Sequence, residues 1–302
     1  MTDDGWFANC EPGDVDAAAA AVRDGSATEP ADWPARAVDV GFAPDEAAYY
    51  DALHEATVAA ARAEAVERER ADDQQLVHAV RAMDDCARTA NELAERAAEW
   101  AGALFDVSGG GVALAEDVAS RTAETPAEER AISLAERVVE LDAEAEDLRG
   151  FIEQQAPTVA PNLASMAGPV LAARLVSLAG SLESLAKKPS GTVQVLGAED
   201  ALFAHLRGRA SSPKHGIIYT HEYVRGTHPE NRGSAARALA GKLSIAARID
   251  HYSGDPKPEI EAELDERIAT IRARTGDELP DDAGGDDAGG DTTGSDHGGA
   301  GE

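Results

Sequence analysis

Aromatic rings are scarce in this chain, and lysine is scarcer still. Phe, Trp and Tyr make up 4% of its 302 residues, so buried contacts must be built from Ala, Val and Leu, as in helical bundles. Five lysines stand beside 22 arginines and 57 acidic residues, and the formal net charge is −30. The acid excess is spread along the chain, which is the surface that a very salty cytoplasm favours: carboxylates hold water, and net charge keeps the protein dissolved. A halophilic source is therefore expected. Two cysteines, Cys10 and Cys86, are too few for a disulfide framework and are expected to be reduced in a cytoplasmic protein. No apolar run approaches the ~20 residues that span a bilayer, and the acidic start Met1-Thr-Asp-Asp is not a signal peptide, so no membrane partner is expected.

Against this background residues 161–254 stand out. They hold eleven Lys/Arg against six Asp/Glu, a net +5, and five of the eight histidines. A basic island kept inside so acidic a chain suggests a surface that meets a polyanion.

Length alone suggests two or three domains. Residues 1–70 are rich in Ala and acids, and Trp6, Phe7, Trp33, Phe42, Tyr49 and Tyr50 can make a small core. A helix is expected from Asp45, the N-cap after Pro44. Strands are not assignable in this small domain, and an α/β fold stays open for it. From Gln74 the apolar residues Leu76, Val80, Met83, Ala87, Ala90, Ala94, Ala97, Ala101 and Leu104 alternate spacings of four and three, a heptad seam. A second seam runs Leu134, Val138, Leu141, Ala145, Leu148, Ile152. Gly109, Gly110 and Gly111 interrupt the pattern between them. Residues 71–160 thus read as an antiparallel coiled-coil hairpin, with an ordinary helical bundle as the alternative. The Ala-rich seam is weak glue but allows close approach, so Leu76, Val80, Met83, Leu134, Val138, Leu141, Leu148 and Ile152 are assigned to dimerisation. Overall the fold is expected to be mainly α.

Pro157 and Pro161 are expected to end the second helix. Leu171, Leu175, Leu178, Leu182 and Leu185 predict one helix with an apolar stripe, and Pro189, Ser190 and Gly191 a turn. A short helix over 197–206 should turn Ala198, Leu202 and Leu206 inward. Asn231 is the expected cap of a long helix to about Asp250, on which Arg237 and Arg248 fall within ~20° of each other. Residues 255–275 read as a C-terminal helix. Residues 276–302 carry nine acids and no basic residue, and are expected to be a disordered acidic tail.

Enzyme chemistry finds little support. The Gly109 triplet lacks the Lys-Ser/Thr of a phosphate loop. His215, His221 and His228 have no Cys nearby for zinc, so no metal is expected. No Ser or Cys has a convincing base partner, and no catalytic residue is assigned.

The motifs Asn162-Leu163, Leu171-Ala-Ala-Arg-Leu-Val-Ser-Leu-Ala-Gly180, Leu185-Ala-Lys-Lys-Pro189, Val195-Leu-Gly-Ala-Glu199, Ala201-Leu-Phe203, Pro213-Lys-His-Gly-Ile-Ile218, Asn231-Arg-Gly233 and Lys242-Leu-Ser-Ile-Ala-Ala-Arg-Ile-Asp250 occur here in one order over about ninety residues. In that order and spacing the chain resembles the Nop-domain family, and specifically the archaeal scaffold of the box C/D ribonucleoprotein that partners fibrillarin. The resemblance implies an all-helical Nop domain at 161–254 and a coiled-coil hairpin before it. It also implies a shortened fibrillarin-docking domain at 1–70. The implied partners are a box C/D guide RNA with its kink-turn, a ribosomal-protein-like kink-turn-binding protein, fibrillarin, and a second copy of the chain. The implied role is positioning a methyltransferase for 2′-O-ribose methylation of ribosomal and transfer RNA. S-adenosylmethionine would then belong to the partner, and no cofactor to this chain.

The resemblance marks Gly197, Ala198 and Glu199 as the RNA-contact turn, and Ala201, Leu202 and Phe203 as the segment near the guide duplex. Asp200 and Ala204 depart from the family, which often has basic residues there. Phe203 has a core position as its alternative. Lys187, Lys188, Lys214, Arg225, Arg232, Arg237, Lys242 and Arg248 are the cations available to phosphates. His215 is available to stack on a base, and Asn231 is grouped with them. A splicing-type Nop protein, and a coiled-coil interaction protein that has kept the Nop fold without RNA binding, are the other readings.

Overall fold

The helices of this chain are set by caps and by small residues. The computed structural model describes residues 5–27 and 29–274, and its regular elements there are helical. The amino-terminal unit has α1 (Val15–Asp24), α2 (Trp33–Asp39) and α3 (Glu46–Glu69). Each is opened by an aspartate, Asp14, Asp32 or Asp45, whose carboxylate accepts a first-turn N–H. Phe7, Ala37, Ala43 and Tyr49 are buried together with Trp6, Trp33 and Phe42 packed against them. Trp6 Nε1 donates to Tyr49 Oη at 3.2 Å. Tyr50, expected in this core, is exposed. The α/β reading is corrected: among the described residues no strand occurs, because these Ala-rich, Asp-capped segments lack the β-branched alternation a strand needs.

The long helices α4 (Asp72–Leu104) and α6 (Pro126–Val159) form an antiparallel pair. Leu76, Val80 and Met83 share a cluster with Ile152 and Ala156, while Ala94 and Ala101 meet Ile132, Ala135 and Val138. The connection is partly helical. In it α5 (Gly111–Ala119) lays Leu114, Ala115 and Val118 on the pair. Thr125 and Glu128 make a capping box that starts α6.

Two expectations change here. Pro157 does not end α6, which runs on to Val159; so near the carboxyl end a proline forfeits a single backbone bond, and Ala160 N–H still reaches Ala156 O at 2.9 Å. Most of the residues assigned to dimerisation are used inside the chain. Leu76, Val80, Met83, Val138 and Ile152 are buried in the hairpin or against the following helices, and Leu134, Leu141 and Leu148 are half-buried. The buried part of the heptad seam closes the hairpin on itself, and Leu134, Leu141 and Leu148 keep part of their surface exposed.

After Ala160 the chain folds into α7 (Pro161–Ala167), α8 (Pro169–Ala179), α9 (Leu182–Lys187), α10 (Ser190–Val195), α11 (Glu199–Leu206), a 3-10 turn (Ile217–Thr220), α12 (Glu222–Arg225), α13 (Arg232–Tyr252) and α14 (Pro258–Arg272). The leucine stripe spans two helices, not one: Gly180, at φ 94°, stops α8, and Ser181 caps α9. Pro189, Ser190 and Gly191 open α10 where a turn was expected, since proline suits a helix start. At the centre lies α13, whose Ala235, Ala236, Leu239, Ala240, Leu243, Ala246 and Ala247 are buried. Their small side chains let the surrounding helices come close. Asn231 stands at the N-cap position, but its side chain is turned to the Ile271 carbonyl at 3.4 Å. The acidic segment 276–302 lies outside the described residues.

Polar contacts lock this body to the hairpin. Gln74 Nε2 donates to Gly180 O at 3.0 Å, Leu182 N–H donates to Asp73, and Arg174 pairs with Asp84 at 2.5 Å. A second knot explains the Asn162-Leu163 and Asp250 motifs. The Asp250 carboxylate accepts the backbone N–H of Asn162 and Leu163 and the Asn162 amide. It thereby caps α7 from the far end of α13, while Asn162 Oδ1 accepts Lys257 N–H. Replacing Asp250 by Ala leaves two buried N–H groups unpaired and is expected to cost about 3 kcal/mol in denaturant unfolding.

Candidate nucleic-acid interface

A close backbone contact builds the site. The loop before the 3-10 turn is zipped to the end of α10: Gly216 N–H donates to Gln194 O at 2.8 Å, and Ile217 N–H to Leu196 O at 2.7 Å. Gln194 Nε2 adds a bond to Lys214 O at 2.7 Å. A Cβ on Gly216 would lie 2.0 Å from Leu196 O, so only glycine fits. Gly197 follows at φ 82°, where a Cβ would sit 3.3 Å from both Ile217 Cβ and Leu178 Cδ1. The Gly197-Ala198-Glu199 turn and the Lys214-His215 segment are thereby fixed side by side.

His215 stacks on Tyr219, with ring centroids 4.5 Å apart and planes 22° from parallel. The Arg232 guanidinium lies over Tyr219 at 5.5 Å, while its Nε donates to Thr227 O at 3.1 Å. Sequence reading named His215 and Arg232 but missed Tyr219, the ring that joins them. Burial, then the cations Arg232 and Lys214, push the His215 imidazole below its ordinary value. A neutral, stacked ring next to cations can lie against a nucleobase and still offer hydrogen bonds.

The amide turn is not wholly open to phosphate. Gly197 N–H donates to Glu199 Oε1 at 2.9 Å, and Glu199 and Asp200 both stand in the first turn of α11. A phosphate arriving there meets carboxylates as well as amides. On α11 no residue is fully buried: of the expected inward positions, Ala198 just before it and Leu202 are half-buried, and Leu206 faces solvent. Leu206 is 71% exposed and Phe203 55%, so Phe203 is not a core residue. Ala201 is exposed beside it and Leu202 half-buried.

The cations sort into paired and unpaired. Lys187 pairs with Glu183 at 2.5 Å, and Lys242 with Glu263. Among the described residues Lys188, Lys214, Arg225, Arg232, Arg237 and Arg248 have no carboxylate partner. Lys214, Arg225 and Arg232 gather at the start of α13, where Lys214 runs alongside Gly233. Arg237 and Arg248 are both exposed on α13, as their spacing predicts. Arg248 is anchored by Ala186 O and Lys188 O at 3.1 and 3.4 Å.

Two further groups brace the site. His221 Nε2–H donates to Met166 O at 3.0 Å and its Nδ1 accepts Tyr223 N–H, which fixes the neutral tautomer. Burial pushes this imidazole down too. Tyr223 Oη donates to Asp265, and that bond, with burial, has its pKa pushed up to about 12. Both histidines thus bind protons less readily folded than unfolded, so stability present above the unfolded pKa of about 6.5 is lost as pH falls below it. The denaturant midpoint is expected to drop between pH 6.5 and 5, and less steeply in His221→Asn.

Among the described residues no cluster with metal-ligand character is found, no helix is long and apolar enough by itself to cross a membrane, and Cys10 and Cys86 are free.

Residues 71–272 match the family described as Nop, snoRNA binding domain, fibrillarin. A NOP5 family protein of Methanocaldococcus jannaschii, itself uncharacterised, is 46% identical over 143 residues, 47% of this chain and 34% of the relative. Nucleolar protein 56 of Schizosaccharomyces pombe is 41% identical over 150 residues, 50% of this chain and 29% of the relative. The chain thus spans about a third of the length of these curated relatives. A chain in the crystal structure of a fibrillarin/Nop5p complex shares the fold at TM-score 0.50 and 24% identity, over 84% of this chain and 92% of that one. With the family match extending over more than half of its length, this chain belongs to the Nop family.

Proposed function

We propose that the chain is an RNA-binding scaffold of a box C/D guide ribonucleoprotein, positioning fibrillarin for guide-directed 2′-O-ribose methylation of ribosomal and transfer RNA. The observation that carries this is the set of cations at the start of α13, without carboxylate partners among the described residues of a chain of net charge −30. A protein that sets Lys214, Arg225 and Arg232 around a stacked His215–Tyr219 pair, with no described carboxylate against them, offers a surface suited to a polyanion with exposed bases. In this reading methyl transfer and S-adenosylmethionine belong to fibrillarin, which docks on the helices of residues 1–70. A second copy joins through the outer faces of the hairpin, and the assembly works in the cytoplasm.

Phosphate contacts gain by releasing counterions and weaken steeply with salt. If the chain works in concentrated salt, stacking, shape and a protein partner must carry the affinity. A ribosomal-protein-like protein already seated on the kink-turn would present that composite surface. Binding to a bare kink-turn RNA is therefore expected to be weak at molar salt, and to tighten by about a hundredfold once that protein is present. Equal mobility shifts with and without it would contradict this.

One set of contacts favours a second reading, a Nop fold used only for protein assembly: Lys187 and Lys242 are already neutralised, and Glu199 occupies the Gly197 amide. The same mobility shift separates the two, since that reading expects no RNA complex at any salt.

A further inference from the structure

The chain's carboxyl-terminal part already sets acids against the basic body. On α14, Glu261 accepts Ser165 Oγ, Glu263 pairs with Lys242, and Asp265 takes the Tyr223 hydroxyl. These contacts hold α14 antiparallel to α13. Its last turn lies at the start of α13, where Asn231 reaches Ile271 O and Arg272 reaches Glu222 O and Thr227. The next 27 residues, 276–302, hold nine acids and no basic residue. The last described turn of α14 thus lies beside Lys214, Arg225 and Arg232, which have no carboxylate partner among the described residues. Arg237 lies six residues beyond Asn231 on α13, about 9 Å along the axis at 1.5 Å per residue. With Arg267 of α14 it flanks a shallow groove of ~260 Å³ floored by Ala238, Ile245 and Leu264. Eight residues of extended chain from Arg274 span up to about 26 Å, enough to bring Asp281 and Asp282 to either cation group.

We propose that the acidic segment Asp277, Glu278, Asp281, Asp282, Asp286 and Asp287 docks on Lys214, Arg225, Arg237 and Arg267, and competes there with RNA phosphates. The competing part of this proposal rests on the RNA-scaffold reading; the docking part does not. A tethered polyanion acts at high effective concentration, so it sets a threshold that weak, unspecific nucleic acid does not pass. RNA presented with a protein partner adds contacts beyond phosphate and displaces it. Screening by salt weakens the brake as well as the RNA contacts it opposes.

Zero-length carbodiimide coupling of the full chain at 0.1 M salt reads the docking directly, because Lys214 is the one lysine at that end of α13. The Lys242–Glu263 ion pair serves as internal positive control, and Lys188 as the distant comparison. Expected are Lys214 links to Asp281, Asp282, Asp286 or Asp287, suppressed by adding a kink-turn RNA. A chain of the same length with its nine tail acids replaced by amides (Asp281→Asn, Glu278→Gln and their like) is expected to bind that RNA about tenfold more tightly at 0.1 M salt, with less than a twofold difference at 2 M. Absent Lys214 links with unchanged affinity overturn the proposal while the native chain's RNA binding stands. Links without a change in affinity, or a change without links, overturn it too. Links that form when neither chain binds RNA uphold the docking and sink the RNA-scaffold reading instead.

Discussion

The double variant Lys214→Glu with Arg237→Glu is expected to lose about a hundredfold in affinity for the assembled kink-turn complex at 0.2 M salt, about 3 kcal/mol, while its unfolding free energy stays within about 0.5 kcal/mol of the native chain. Both side chains are exposed, and among the described residues neither has a carboxylate partner. Reversing them breaks nothing inside the fold, yet shifts the local charge by four units, from two positive to two negative, where phosphates would lie. Lys187→Glu provides the contrast. Lys187 is 60% exposed and already paired with Glu183, so its cation is partly spent, and its reversal should weaken binding by less than about fivefold. The effect should also shrink as salt rises, because it is made of phosphate contacts. Equal losses for paired and unpaired cations would mean that binding follows net charge and not this surface.

The second large effect is expected from Gly216→Ala. A methyl group there meets Leu196 O at 2.0 Å and the Val195 carbonyl carbon at 2.7 Å, both backbone atoms that cannot swing aside. Relief requires the loop to leave α10, which breaks the Gly216–Gln194 and Ile217–Leu196 bonds and frees Lys214, His215 and Tyr219 together. A cost of about 2–4 kcal/mol in stability is expected, with a loss of RNA affinity of about a hundredfold. Gly233→Ala is the matched control. It lies in the first helical turn of α13, its nearest neighbour is Lys214 at an ordinary 3.9 Å, and alanine is the better helix former. That variant should fold at least as stably as the native chain. Thermal melts and mobility shifts of the two variants together separate loop geometry from a general sensitivity of glycines.

Much of this was legible in sequence where one period or one cap decided the outcome. Asp45 caps α3 as expected because a short carboxylate before an alanine run has few other uses. The spacings from Leu76 and from Leu134 gave the antiparallel pair, since an apolar stripe held over several heptads has to be covered. The same spacing misled about what covers it: a seam records that it is buried, not by which chain, and the hairpin buries its own. The stripe Leu171 to Leu185 survives a break, because Gly180 and Ser181 turn the chain and still leave Leu171, Leu175, Leu182 and Leu185 buried, while Leu178 is exposed. Tyr219 was invisible because one ring in a loop carries no periodicity, and its role arises only when Gly216 brings it under His215. Asn162 and Asp250, 88 residues apart, formed part of a family motif, but their bond is a tertiary fact that neither neighbourhood encodes. The basic island was read correctly as an excess of charge. Which members are already neutralised by Glu183 and Glu263 required coordinates.

The central claim is that the turn at Gly197, the His215–Tyr219 stack and the unpaired cations at the start of α13 form one RNA-facing surface. Ultraviolet cross-linking of the full chain to a kink-turn RNA carrying its kink-turn protein, at the salt of the native host, tests it most directly when the adducts are mapped by mass spectrometry. Nucleotide adducts on His215, Tyr219 and residues 197–203 are the predicted result. Adducts confined to the α4–α6 hairpin or to the amino-terminal helices, with this surface left bare, would contradict it.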